Sequence, residues 1–484
     1  MKSAPSAIAF LICAIALVNA VRAPPPPQTG FRAFKPQPAI HSGEQPGDVS
    51  PQPEGQRSGT AIEREIAALR DKTDRPDATV VAWVKLGDGL MQKSRESQDT
   101  RLLEEAESAY TKALALDPKH EDAMVGLAWV HNTEHEFDEG RRWAEKALAI
   151  NPRLPQAHAL LGDAAVELGD YDAAFEYYQK ALDLRPDLST YSRSAHLLWM
   201  TGDVRKARWL MQKAIDSGGP YAENTAWCRA ELALMLWRDG ALLPAAQQAE
   251  QALKQAPQSP HVFAVLGRIK TAGKDFDAAI DCYRRAVEIA PSHEALVALG
   301  DLFLLKGRPE EAEKQYERLV QMHTAGTAHA HGANVHAHPS GHGNAQLAQF
   351  YADHDRNLDE ALKEAESAYQ TYKNVFVADT LAWCYYKKGL YEQARKTVRK
   401  ALRWNTPDAN IFFHAGMIYA KLGESNVARK YLYRALNLNP HFHPKHAPIA
   451  ADTLKELAGR LPESKAPDLP SSGGAAKLRE GGGD

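Results

Sequence analysis

Residues 156–186 read QAHALLGDAAVELGDYDAAFEYYQKALDLRP, and this stretch decides the fold. Apolar residues fall at Ala159, Leu160, Leu161, Ala164, Ala165 and Val166. They return at Ala173, Ala174, Phe175, Tyr177, Tyr178, Ala181 and Leu182. Recurrence at three and four residues marks two helices, each with one face to bury. Gly169-Asp170 is the turn between them, and Pro186 stops the second. Two helices this short cannot cover both apolar faces. They require copies of themselves on either side.

The rest of the composition permits such an array. Of 484 residues, 44% are hydrophobic and 25% charged, with a formal charge of −3. No field of one sign points to nucleic acid or an anionic membrane. Residues 1–20 combine Lys2, an apolar run from Ala7 to Val18 and Val18-Asn19-Ala20, the pattern of a cleaved export signal. Val21-Arg22-Ala23 is a second cleavage candidate, and an uncleaved anchor is the alternative. The run is too short to span a bilayer comfortably, so no transmembrane segment is expected after cleavage. Cys13 follows Ile12, which is not a lipoprotein context. Residues 21–60 are rich in Pro, Gly and Gln and read as a disordered linker. Cys228, Cys282 and Cys384 lie far apart within helical apolar patterns and read as free buried thiols.

From Ala61 the copies appear. Trp83, Leu86, Gly87, Leu90, Ala106, Tyr110, Ala113 and Pro118 form one unit. Leu161, Gly162, Ala174, Tyr178, Ala181 and Pro186 form the clearest, and Leu266, Gly267, Ala279, Tyr283, Ala286 and Pro291 another. This spacing resembles the tetratricopeptide repeat, W-x2-L-G-x2-Y followed by Ala, Ala-x3-Phe and Pro over about 34 residues. Ten units can be counted. The resemblance implies an all-α solenoid of helix-turn-helix repeats, with residues 61–320 as a first block and 345–440 as a second. Residues 441–461 are expected to cap the array, and 462–484 to form a disordered tail. Gly162, Gly267, Gly300 and Gly416 fall where the first helix of a unit meets its second, and the tyrosines are expected to fill the gap to the next unit. Because neighbours bury each other, stability should be nearly one-dimensional along the array.

In this family the first helices line the inner wall of the curve. The four slots per unit that the resemblance assigns to that wall receive Trp129, His196, Trp199, Trp227, Trp237, Phe376, Trp383, Tyr386 and Phe413. Rings facing a groove call for a partner; rings closing gaps between adjacent helices are the alternative. Asp88, Asp122, Asp163, Glu294, Asp301 and Asp379 make the remaining slots acidic, with Arg268 the one basic residue. The Lys and Asn pattern that clamps a C-terminal carboxylate in chaperone-binding relatives is absent. A protein or peptide segment with apolar and basic residues suits such a wall, and no cofactor is required.

A second feature is the insertion at 321–344, which holds His323, His329, His331, His336, His338 and His342. Two His-x-His pairs on a mobile loop could take Zn, Ni or Cu. A metal-handling protein that docks clients on the array is therefore the alternative to a non-catalytic scaffold. His441, His443 and His446 form a second, weaker candidate metal cluster, for which a solvated loop is the preferred alternative. His131-Asn132-Thr133-Glu134-His135 matches H-x-x-E-H, but that chemistry needs both histidines on one continuous helix. No phosphate loop or nucleophile motif appears, so an enzyme is not expected.

Overall fold

In the computed structural model, which describes residues 60–329 and 341–459, every regular element is a helix. The described residues form 22 helices. The first, α1 (Ala61–Thr73), stands alone. Ten pairs follow, each one unit: α2 (Val80–Ser97) with α3 (Arg101–Leu116), α4 (Glu121–Thr133) with α5 (Phe137–Ile150), α6 (Pro155–Leu168) with α7 (Tyr171–Leu184), α8 (Leu188–Met200) with α9 (Val204–Ser217), and α10 (Ala222–Arg238) with α11 (Leu242–Gln255). The next five are α12 (Pro260–Ala272) with α13 (Phe276–Ile289), α14 (His293–Leu305) with α15 (Pro309–His329), α16 (Gly341–Asp353) with α17 (Leu358–Thr371), α18 (Val375–Lys387) with α19 (Tyr391–Ala401), and α20 (Ala409–Lys421) with α21 (Ser425–Leu438). A last helix, α22 (His446–Gly459), closes the array. The expected signal, most of the linker, the C-terminal tail and His331, His336 and His338 lie outside the described residues.

Local chemistry sets the helix ends. The side chains of Asp170, Asp203 and Asp275 accept the N3 amides that open second helices, and Ser259 and Ser292 do the same for first helices. Thr60 and Glu63 form a reciprocal capping box at α1. The α6–α7 turn passes through Gly169 at φ +81°, a left-handed backbone that glycine adopts without cost.

In four of the ten units the seam is a glycine set against a tyrosine, and in the last Gly416 meets Leu432 instead. A Cβ on Gly162 would lie 2.2 Å from the ring of Tyr178; for Gly87 against Tyr110 the figure is 2.6 Å, and for Gly300 against Tyr316 it is 2.4 Å. Each tyrosine hydroxyl then donates to the aspartate that follows the glycine: Tyr110 to Asp88 at 2.8 Å, Tyr178 to Asp163 at 2.7 Å, Tyr316 to Asp301 at 2.6 Å. The tyrosine therefore belongs first to its own unit. Two of these also reach the next unit as expected, Tyr110 at Gly126 and Tyr316 against Phe350 at 5.1 Å. Alanines at Ala106, Ala144, Ala174, Ala207, Ala245, Ala279 and Ala312 are fully buried along the same seam.

The array does not stay one-dimensional. The turn inside one unit touches the connection that follows the unit five places further on. Asn374 Nδ2 donates to the Glu167 carbonyl at 3.3 Å, Thr406 Oγ1 to the Met200 carbonyl at 2.6 Å, and Asn439 Nδ2 to the Trp237 carbonyl at 2.8 Å. Tyr171 accepts from the Val375 amide at 3.1 Å. The superhelix thus returns on itself, and its successive turns are bonded across some 200 residues of sequence. These contacts also join the two expected blocks. The insertion is shorter than expected, because α15 runs on to His329 and α16 begins at Gly341. Residues 309–329 include four Glu and three Ala, which cost little in a helix. Near the insertion, Tyr316, Phe350, Glu313 and Arg356 line a cavity of about 920 Å³.

At the ends, α1 buries Ile62, Ile66 and Leu69 and α22 buries Ala447, Ala450 and Leu457. The contact between turns makes a prediction. Asn439→Ala removes a bond from a fully buried amide side chain and should destabilise the chain by about 1–3 kcal/mol. Hydrogen exchange should rise at the amides of Gly240 and Ala241, 200 residues away. Effects confined to α21 and α22 would refute the contact.

Candidate functional site

The inner wall is where the aromatic expectation needs correction. Trp199, Trp237, Trp383 and Phe413 are buried, at 5% exposure or less. Trp199 lies parallel to Phe376 of a different superhelical turn, with centroids 6.3 Å apart, and the Arg238 guanidinium sits 4.2 Å above it. Two rings expected to face a groove therefore cover each other. Trp237 lies under Arg268. Trp383 is sandwiched between Tyr386 at 4.6 Å and His414 at 4.2 Å, and Phe413 stacks on His446 at 4.7 Å. The pitch of the superhelix explains this. When turns touch, wall rings find partners in the chain itself. Trp129, His196, Trp227, Phe376 and Tyr386 remain half-buried. Of these, Trp227 is flanked by His261 and by Arg95 of the first unit.

What lines the wall is a chain of ion pairs between consecutive units. Arg193 meets Asp163 at 2.8 Å, His261 meets Glu231 at 3.0 Å, and Arg268 meets Glu294. Further on, His354 meets Asp301 at 2.7 Å and His414 meets Asp379 at 2.8 Å. Burial opposes ionisation of Glu231, but the His261 hydrogen bond prevails and holds its carboxyl below the usual range. Asp301 behaves the same way beside His354. The imidazoles of His261 and His354 are held above their usual value by the same partners, against the effect of burial. His446 goes the other way: burial, with His443 and His414 beside it, keeps its ring neutral.

The acidic slots divide into two groups. Asp163, Asp301 and Asp379 are engaged by Arg193, His354 and His414. Asp88 and Asp122 are exposed, and Glu294 leaves half of its side chain accessible despite its pair with Arg268. Sequence reading missed Arg193, Glu231, Arg238, His354 and His414 as wall residues. The available signal was charge complementarity about one repeat apart, as in Asp163 with Arg193 and Arg268 with Glu294.

The other histidine expectations resolve unevenly. Only His323 of the six in the insertion has a described side chain, edge-on to His293 at 5.8 Å. His329 and His342 lie in α15 and α16 by backbone alone. His446, expected in a solvated loop, is buried at the start of α22. The H-x-x-E-H string is broken. Helix α4 ends at Thr133, His135 has φ +63°, and His131 instead meets Glu136 at 2.9 Å. The two histidines thus do not share one helical face.

Sequence models of the tetratricopeptide repeat match residues 101–164, 155–188, 265–327, 379–408 and 409–442. The chain carries tetratricopeptide repeats. Curated proteins similar to it include anaphase-promoting complex subunit 3 of Schizosaccharomyces pombe, 24% identical over 173 residues, which are 35% of this chain and 25% of that protein. Cellulose synthase operon protein C of Pseudomonas fluorescens is 25% identical over 214 residues, covering 39% and 16% of the two chains. The chain thus spans a quarter or less of the length of these relatives. Among solved structures, the human IFIT1 dimer with PPP-AAAA is 15% identical, covers 78% of this chain and 94% of that one, and gives a TM-score of 0.42. Among the described residues, no helix is long and apolar enough to cross a membrane.

One wall group predicts a pH dependence. Burial, aided by the charge of Asp163, pushes the Glu167 carboxyl up to about 7 from an ordinary 4.5. A carboxyl raised on folding binds its proton more tightly in the folded state, so its contribution is full below 4.5 and lost as pH rises through 7. Glu167→Gln should therefore gain stability relative to the wild type between about pH 4.5 and 8, measured by denaturant unfolding. A constant difference across that range would contradict this assignment.

Proposed function

We propose that the chain is a non-catalytic scaffold whose inner wall holds a protein segment rich in basic and apolar residues. Arrays of this repeat typically serve as protein-interaction scaffolds, and that general role supports the reading. The observation that carries the finer statement is the accessible carboxylates of Asp88, Asp122 and Glu294 on a wall where Trp129 and Trp227 keep part of their rings open. Half-open tryptophans offer the anchors that interfaces favour, and carboxylates beside them select a cationic partner. The later units are less suited, since His354 and His414 already engage their carboxylates. We further propose that residues 1–20 direct export, so that the partner is met outside the cytoplasm.

Selection from a random peptide library on the full chain tests this. Enriched peptides should combine Lys or Arg with aromatic or aliphatic residues. Asp122→Lys combined with Trp129→Ala should weaken a selected peptide at least tenfold, about 1.4 kcal/mol. Trp199→Ala serves as a control: it should cost about 3–5 kcal/mol of stability, as a core ring does. Acidic peptides, or unchanged affinity in the double variant, would sink the proposal. For export, a reporter active only outside the cytoplasm should be active when fused after residue 30, and silent when residues 7–18 are deleted.

A further inference from the structure

The wall of the last three units carries a cluster that the ion-pair chain does not absorb. Asp353 ends α16, His414 lies within α20, and His446 opens α22. One ligand atom from each falls within 4.8 Å of the others. His446 Nε2 stands 3.8 Å from Asp353 Oδ1. That is too long for a hydrogen bond. It is near the edge of about 3.3 Å in a tetrahedron with bonds of about 2.0–2.1 Å.

Two independent observations point to a ligand. His414 and His446 are 1% and 3% exposed, and His414 Nε2, the nitrogen not used on Asp379, has no hydrogen-bond partner. Buried ring nitrogens are rarely left so. The surroundings also have the form of a supporting shell. His414 uses its other nitrogen, Nδ1, on Asp379 Oδ2 at 2.8 Å, the carboxylate contact that orients ligating imidazoles. Asp353 is fixed by the Trp383 indole N–H at 2.8 Å and by Gln349 Nε2 at 2.8 Å. Of the nearby cations, Lys387 is taken by Asp355 at 2.5 Å, and Lys445 donates to the Asp353 backbone carbonyl at 2.8 Å.

We propose that Asp353, His414 and His446 bind one divalent cation of the zinc class, which ties the C-terminal helix to the inner wall. Two imidazoles and one carboxylate suit zinc and its first-row neighbours and leave one position for water. A dication balances the two carboxylates, Asp353 and Asp379, that the cluster brings together. The three ligands come from units 8 and 10 and from α22, so binding fastens the end of the array across unit 9. This site is separate from the histidines of the insertion and does not rest on the peptide-binding reading.

The test uses the full chain, stripped with chelator, in which His323, His329, His331, His336, His338 and His342 are all changed to Ala. Titration with Co²⁺ alone should give visible d–d bands that saturate at one equivalent and are abolished by added Zn²⁺. Asp353→Asn and His446→Gln should lose the bands. Asp379→Asn, which leaves every ligand in place, should weaken Co²⁺ binding 10–100-fold. Bound Zn²⁺ should raise Tm and slow hydrogen exchange in α22. Absence of bands in the stripped chain, as when a water bridges the two rings, would overturn the proposal. So would bands that persist in His446→Gln, or an Asp379→Asn affinity equal to the parent's.

Discussion

The closest constraint in this structure is the approach of a tyrosine ring to a glycine of the same unit. At Gly162 a Cβ would stand 2.2 Å from Tyr178, a distance that no real side chain tolerates. Without the Cβ, the first helix can sit on the ring, and the ring hydroxyl reaches the next residue, Asp163. Helix spacing, ring burial and a satisfied hydroxyl are thus settled by one contact. Gly87 with Tyr110 and Gly300 with Tyr316 repeat it with the same Gly-Asp dipeptide. Gly267 keeps the tyrosine, Tyr283, but is followed by Arg268 instead of Asp, and this arginine turns to Glu294 of the next unit. The residue after the glycine joins units either way, since Asp163 and Asp301 hold their tyrosines and still pair with Arg193 and His354.

Repetition of the helix pair sets a small rotation from unit to unit, and rotation accumulates until the chain meets itself. The bonds of Asn374, Thr406 and Asn439 to carbonyls of earlier turns show where it does. This changes the energetics of the array. A unit at the C-terminal end supports both its neighbour and a turn five units back, so the loss of one connection is felt far away in sequence. It also changes the wall. Surface that a lone curve would expose is covered by the next turn, as Trp199 is covered by Phe376.

The sequence made the repeats legible because their signal is local and periodic. Alanine, glycine and tyrosine positions follow from helix geometry within a single unit, and ten helix pairs stand where the period puts them. The fate of the wall was not legible for the same reason. Whether Trp199 faces a groove or a neighbour depends on a contact 177 residues away with Phe376, and no local pattern encodes it. The pairs Asp163–Arg193 and Asp379–His414 were partly readable, as opposite charges one repeat apart. Asp163 and Asp379 were legible as acidic wall slots, but not their partners, because an open charge and a paired one are spelled with the same residues. His446 was misread because histidines in a short Pro-containing connection resemble a loop, whereas here the residue opens a helix that is folded back onto the wall.

The wall therefore has two characters, and their difference follows from charge bookkeeping along the array. In the earlier units Asp88 and Asp122 are exposed to water, and Asp88 also accepts the Tyr110 hydroxyl. In the later units Asp301 and Asp379 are withdrawn from water, and a withdrawn carboxylate needs a cation or a proton. The chain supplies His354 and His414 there, whose rings are held above their usual value by those same carboxylates. Histidine is a partner that can give up its charge, whereas Arg193 and Arg268 in the middle units cannot. Along the array, exposed carboxylates in the first units give way to the guanidinium pairs of Arg193 and Arg268 with the His261–Glu231 pair between them, and then to the imidazole pairs of His354 and His414. Exposed anions can serve an outside partner. Imidazoles packed among carboxylates can exchange a proton, and this is the chemistry on which the proposed metal site at the C-terminal end draws.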